Sequence, residues 1–141
     1  MHKMTAEEAR AFLMERPHTA KLATVRADGR PHVAPVWFAL DGDTVVFTMW
    51  HTTIKHTNIR RDPRVCLCVD DDQPPFSYVM VEGTATISED LDDLRVWATR
   101  IACRYMGEQL AESYGQRNAV AGELLVRVTP TRIVAEANIA E

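Results

Sequence analysis

Two Asp-Gly pairs, Asp28-Gly29 and Asp41-Gly42, interrupt the apolar stretch between His18 and Trp50. An Asp-Gly pair between such runs is among the strongest short-range signals for a β-hairpin. The tight turn needs positive φ, which glycine adopts at no steric cost. The stretch "HTAKLATVRADGRPHVAPVWFALDGDTVVFTMW" therefore predicts three consecutive strands folded back on one another. Connections this short commit the chain to antiparallel pairing, because a parallel pair needs a long crossover.

The remaining segments extend this pattern. Residues 5–16 predict a short helix, with Thr5 as cap and Glu8 completing a capping box; Pro17 ends it. Residues 52–61 predict a second short helix, capped by Thr52 or Thr53 and stopped by Asp62-Pro63. Residues 65–70 predict a fourth strand and 77–88 a fifth, in which Gly83 marks a bulge or bend. The loop "DDQPPF" separates them. Residues 89–114 predict one long helix from Ser88 as cap, its apolar face running through Leu91, Leu94, Trp97 and Ala98, Ile101 and Tyr105. The segment "GELLVRVTPTRIVAEA" predicts a sixth strand. Strands in succession with helices set apart define an α+β fold on an antiparallel sheet. Val65–Val69 is apolar at every position, which favours a closed or nearly closed barrel with a covering surface such as a second subunit.

Composition limits the function classes. A chain of 141 residues suits a single domain, here 1–141. The net charge of −4 argues against a nucleic-acid partner. No apolar run approaches the roughly 20 residues that cross a membrane. Cys66, Cys68 and Cys103 form no disulfide framework, and the N-terminus is polar where a signal peptide is apolar. These features point to the cytoplasm.

One segment departs from the acidic background. "HTTIKHTNIRRDPR", residues 51–64, carries Lys55, Arg60, Arg61 and Arg64 against the single acid Asp62. The free N–H groups of a helix start favour an anion, and Thr52-Thr53-Ile54-Lys55 adds hydroxyls and a full positive charge there. Asn58 and Arg61 follow at helical spacing. A phosphate site and a solvated helix whose arginines pair with Asp70–Asp72 both fit this spacing. Upstream, Pro35 lacks a backbone donor, so its strand is an edge, a bulge or a place where something other than a strand approaches. Cys66 and Cys68 share a strand face and read as packing residues, since no second pair of ligands accompanies them. His32 is a lone histidine and reads as structural.

The order "LATVRADGRPHVAPVWFALDGDTVVFT", "TIKHTNIRRDPRVCLCVDD", "YVMVEGTATIS" resembles the pyridoxamine 5′-phosphate oxidase-like split barrels, and most of all their actinobacterial branch that uses the deazaflavin coenzyme F420. The resemblance spans roughly residues 5–135. It implies an antiparallel six-stranded split β-barrel with flanking helices, and a homodimer with the cofactor in a groove at the interface. On this resemblance Thr53 and Lys55 contact the cofactor phosphate, with Asn58 beside them. Thr48 and Met49 form the strand end next to ring and phosphate. Pro35, Val36 and Trp37 form the strand against which the ring packs. Phe76, Ser77 and Tyr78 reach the groove from the other subunit. Arg60 and Arg61 are structural or meet a negatively charged tail, and Arg132 is a later candidate. The implied activity is hydride transfer from reduced F420 to a conjugated small molecule. An FMN-dependent oxidoreductase and a non-catalytic flavin- or haem-binding protein are the alternatives. The C-terminus "VTPTRIVAEANIAE" lacks the Trp and Arg/His signature of true pyridoxamine-phosphate oxidases, which argues against vitamin B6 synthesis.

Overall fold

A computed structural model describes all residues, 1–141. Chain order is β1 (His2–Lys3), α1 (Ala6–Glu15), β2 (Ala20–Val25), β3 (Pro31–Val36), β4 (Ala39–Asp41), β5 (Thr44–Trp50), α2 (Ile54–Arg61), β6 (Arg64–Asp71), β7 (Ser77–Ser88), α3 (Leu91–Met106), α4 (Glu108–Asn118) and β8 (Glu123–Ala137). The strands form one antiparallel sheet in the order β3-β2-β6-β7-β8-β5-β4, with β1 added to β8. The two edges, β3 and β4, do not pair with each other, so the curled sheet stays split rather than closed.

The local signals act as expected. The Thr5 hydroxyl accepts from the Glu8 N–H while the Glu8 carboxylate accepts from the Thr5 N–H, both at 3.1 Å. Gly29 at φ 87° and Gly42 at φ 60° turn the two hairpins. At Gly83 the β7–β8 register shifts, and a Cβ there would lie 2.6 Å from both the Thr129 carbonyl oxygen and Val128 Cγ1. Only glycine lets the two strands approach this closely.

Eight strands replace the expected six for two reasons. β1 is a two-residue addition at the N-terminus. The second hairpin strand also breaks at Trp37-Phe38, where the chain passes from one sheet edge to the other. There the backbone of Phe38 finds side-chain partners in place of a neighbouring strand. Its N–H donates to the Tyr105 hydroxyl at 3.2 Å and its carbonyl accepts from Arg104 at 2.7 Å. The expected long helix is likewise two helices. Gly107 at φ 91° separates α3 from α4, and Asp90 rather than Ser88 caps α3, accepting from the N–H groups of Asp92 and Asp93. The helices then pack tightly, since a Cβ on Gly115 would lie 2.0 Å from Thr99 Oγ1.

Apolar burial follows from these placements. Inside the sheet, Leu22, Phe38, Phe47, Leu67, Val79, Val126 and Val128 form the centre of the core together with Phe12 and Leu13 of α1. A second cluster lies on the outer face of β5 and β8, where Leu94, Trp97 and Ile101 of α3 cover Ala39, Val46 and Leu125. Each large side chain fully buried in this way contributes roughly 1.5–3 kcal/mol. β6 buries Val65, Leu67 and Val69 inward, while Cys66 and Cys68 lie half-buried on the outer face. No helix is long and apolar enough to cross a membrane.

Candidate functional site

A cleft of about 370 Å³ opens where the end of β5 meets α3 and the start of α2. It brings together Pro35, Val36 and Trp37 from the β3 end, Thr48 and Met49 from β5, and Thr53 and Lys55 from the α2 start. Seven of the thirteen residues singled out in the sequence thus share one wall. Trp50, Ala98, Ile101, Ala102, Asn118 and Glu123 complete it.

Each side of the cleft has a physical cause. Trp37 stands 39% exposed at the rim, yet it is held, its ring stacked on Tyr105 at 4.9 Å with planes 2° apart. The Tyr105 hydroxyl donates to the His18 carbonyl at 2.6 Å, which locks that ring in turn. Arg104 donates to the carbonyls of Phe38, Leu13 and Arg16 and lies over the Phe38 ring at 4.5 Å. Burial lowers the pKa of Arg104 and raises that of Tyr105. The C-terminal turn of α3 is therefore the clamp that fixes the Pro35–Trp37 edge.

At the other end, Thr53 caps α2. Its hydroxyl accepts from the His56 N–H at 3.4 Å and donates to the Trp50 carbonyl at 2.8 Å. That proton is committed to the protein, so the donors left for an anion are the Lys55 ammonium and the first-turn N–H groups of Ile54 and Lys55. Lys55 is half-buried and enters no ion pair in the chain, where the seven pairs join other residues. Opposite Trp50 in the β5–β8 register stands Glu123. Burial raises its pKa, and the Lys55 and His51 charges oppose that rise.

The remaining sequence candidates lie elsewhere. Asn58 is buried and donates to Thr24 Oγ1 at 3.0 Å, so it faces the barrel interior and ties α2 to β2. Arg60 borders a neighbouring hollow with His51 and His56. Arg61 donates to the Val25 carbonyl. The alternative pairing of these arginines with Asp70–Asp72 does not form. Asp70 pairs with Lys21 at 3.1 Å, Asp71 with Arg16, and Arg64 with Asp62 at 2.7 Å. Phe76 directly precedes β7 and Ser77 and Tyr78 begin it, away from this cleft. Phe76 holds φ 62°, unusual for a bulky residue, and exposes its ring while the C-terminal residues Ile139 and Ala140 bond to the Phe76 and Pro75 carbonyls. His32 pairs with Thr24 at the start of β3, also outside the cleft, and Arg132 is exposed.

Two contributions were not read from the sequence. Ala98 and Ile101 belong to the apolar face expected for the helix and Ala102 lies beside them, but only tertiary packing turns that face toward β5. Glu123 had a signal, a lone acid directly before Leu124-Leu125-Val126.

The split antiparallel sheet thus holds, in one cleft, a clamped apolar strand end and a lysine that pairs with nothing in the chain. The pyridoxamine 5′-phosphate oxidase family model matches residues 5–135. The F420H(2)-dependent biliverdin reductase of Mycobacterium tuberculosis (strain CDC 1551 / Oshkosh) is 35% identical over 100 residues, 71% of this chain and 72% of that protein. A solved F420 reductase superposes with TM-score 0.70 at 33% identity, covering 87% of this chain and 94% of the other. A conserved hypothetical protein of Mycobacterium tuberculosis superposes with TM-score 0.83 at 26% identity, covering 96% and 86%. The chain belongs to the pyridoxamine 5′-phosphate oxidase family.

Proposed function

We propose that the protein is an F420-dependent reductase that binds reduced deazaflavin in this cleft and acts on a conjugated small molecule. The observation that carries the reading is the pairing, in one cleft, of the unpartnered Lys55 with the clamped Pro35–Trp37 edge. The donor set fits the group: one free ammonium and helix-start N–H groups for a phosphate, and a rigid apolar strand end for a flat ring. The relatives that use F420 support the choice of cofactor over FMN.

When bound, the reduced deazaflavin supplies a hydride. The chain supplies the rest. Lys55 and the α2 start hold the phosphate, Pro35 and Val36 present backbone without a competing donor from Pro35, and Thr48 and Met49 floor the cleft. Trp37, stiffened by Tyr105, fixes the plane in which an acceptor stacks, so that orientation provides much of the acceleration. Arg60 and Arg61, at the exposed end of α2, suit a polyanionic tail.

The protein works as a homodimer in this reading. The outer face of β3, β2, β6 and β7 carries no helix and aligns Val33, Ala23, Cys66, Cys68 and Met80 across the strands, with Val33 64% exposed. A partner on that face would border the Pro35 edge and bring Phe76, Ser77 and Tyr78 to the groove.

Titration with F420 and with FMN, followed by tryptophan fluorescence, tests the reading, because Trp37 and Trp50 both line the cleft. Saturable quenching by F420 is expected. Tight FMN binding with no F420 response would refute it.

A further inference from the structure

Glu123 is the one carboxylate on the cleft wall. Its backbone is fixed, paired with Trp50 in the sheet and donating its N–H to the Val120 carbonyl at 3.0 Å. One carboxyl oxygen, Oε2, is buried without a hydrogen-bond partner. Lys55 and His51 are close enough to act on its charge, yet neither closes an ion pair on it. Glu123 also separates the cleft from the neighbouring hollow, which holds His51, His56, Arg60 and Glu89. An acid with an unspent oxygen, placed beside the only cation of an anion site, must influence which anions enter.

We propose that Glu123 is a specificity-determining residue of the cofactor cleft, selecting a ligand whose phosphate carries one negative charge over a ligand whose phosphate carries two. The proposal rests on the phosphate assignment made above for Lys55. Only Lys55 and Glu123 are charged on the cleft wall. With Glu123 ionised, their net charge is zero, so a second charge on the phosphate adds desolvation cost with no added attraction from these two side chains. With Glu123 protonated, the hydroxyl on its carboxyl donates to a phosphate oxygen and Lys55 balances a single charge. A phosphodiester meets that condition across the neutral range. A phosphomonoester, whose second pKa is about 6, carries most of its second charge at pH 7 and above. Burial already favours the protonated acid, and an incoming anion favours it further. Binding therefore draws a proton onto Glu123, and a second charge on the phosphate opposes the fit.

The test uses one ring and changes only the phosphate. Riboflavin, FMN and the monomethyl phosphodiester of FMN are titrated, with F420 alongside, against the wild-type chain and Glu123→Gln from pH 5.5 to 8.5 by tryptophan quenching. At pH 8 the wild-type chain should bind the methyl diester at least about tenfold tighter than FMN, and the gap should close toward pH 5.5. Glu123→Gln, which needs no proton, should tighten both ligands at pH 8, FMN about tenfold more than the diester, and so close the gap between them. If the wild type takes F420 but no FMN, the variant must acquire FMN binding. Equal wild-type affinity for FMN and its diester at pH 8 would overturn the proposal, as would a variant that changes neither. Silence from every phosphate-bearing ligand would overturn it too. The wild-type comparison stands even if the variant folds poorly. Failure of F420 alone, with the FMN pair behaving as stated, would refute the F420 reading and leave this one intact.

Discussion

Replacing Arg104 by methionine keeps the stem of the side chain and removes its guanidinium. In the native chain that group donates to three carbonyls on two separate elements, Phe38 at the edge switch and Leu13 and Arg16 at the end of α1. A hydrogen bond from a charged group contributes about 1.5–3 kcal/mol, and a buried carbonyl left unpaired costs about 1–3 kcal/mol. Against this loss, the variant no longer buries a cation whose pKa burial lowers, which returns part of the cost. The Arg16 carbonyl is on an exposed residue and water replaces its partner. The net loss is about 3 kcal/mol. A chain of 141 residues unfolds with an entropy near 0.3 kcal/mol/K, so Tm should fall by about 10 °C. Arg104→Lys keeps the charge but offers no planar fork, and should recover less than half of the loss. Calorimetric melts of the three proteins measure this directly. The variants should also bind cofactor more weakly, because Phe38 follows Trp37 in the clamped edge. A methionine variant melting within 2 °C of wild type, or a lysine variant indistinguishable from it, would refute the clamp.

Other perturbations read separate parts of the molecule. Lys55→Ala should weaken cofactor binding at least tenfold, about 1.4 kcal/mol, with little change in Tm, since Lys55 pairs with nothing in the chain; unchanged affinity in a fluorescence titration would remove it from the site. Gly83→Ala should destabilise the fold by about 2–3 kcal/mol, because the new Cβ meets both the Thr129 carbonyl and the fully buried Val128 side chain, and an unaltered denaturant midpoint would contradict that. Glu123 has a folded pKa raised above 4.5, so its contribution to stability is complete below the unfolded pKa and is lost as pH rises through the folded value. Glu123→Gln should therefore melt higher than wild type at pH 8 and not at pH 4, and a gap that ran the other way would show that Glu123 is ionised and paired in the fold.

The contrast between what was legible in the sequence and what was not follows the range of the forces involved. Thr5 and Glu8, the two Asp-Gly turns and Thr53 act within four residues of themselves, and each produced the element its chemistry dictates. The break at Trp37-Phe38 could not be read that way, because the groups that satisfy Phe38 are Arg104 and Tyr105, more than sixty positions along the chain. Gly107 is an intermediate case: a glycine inside a helical pattern costs only about 1 kcal/mol, too little to decide between an interior and an end, and the φ of 91° it adopts accompanies the close packing of Gly115 on Thr99. The cleft combines both kinds of information. Thr53 and Lys55 were visible because a cap and a cation two residues apart form a local unit. Their meaning as a site depends on Glu123, set opposite Trp50 by the β5–β8 register, and on the α3 face, packed against the outer face of the sheet. A local motif can supply the attraction for an anion, but the residue that decides which anion enters is supplied by the sheet.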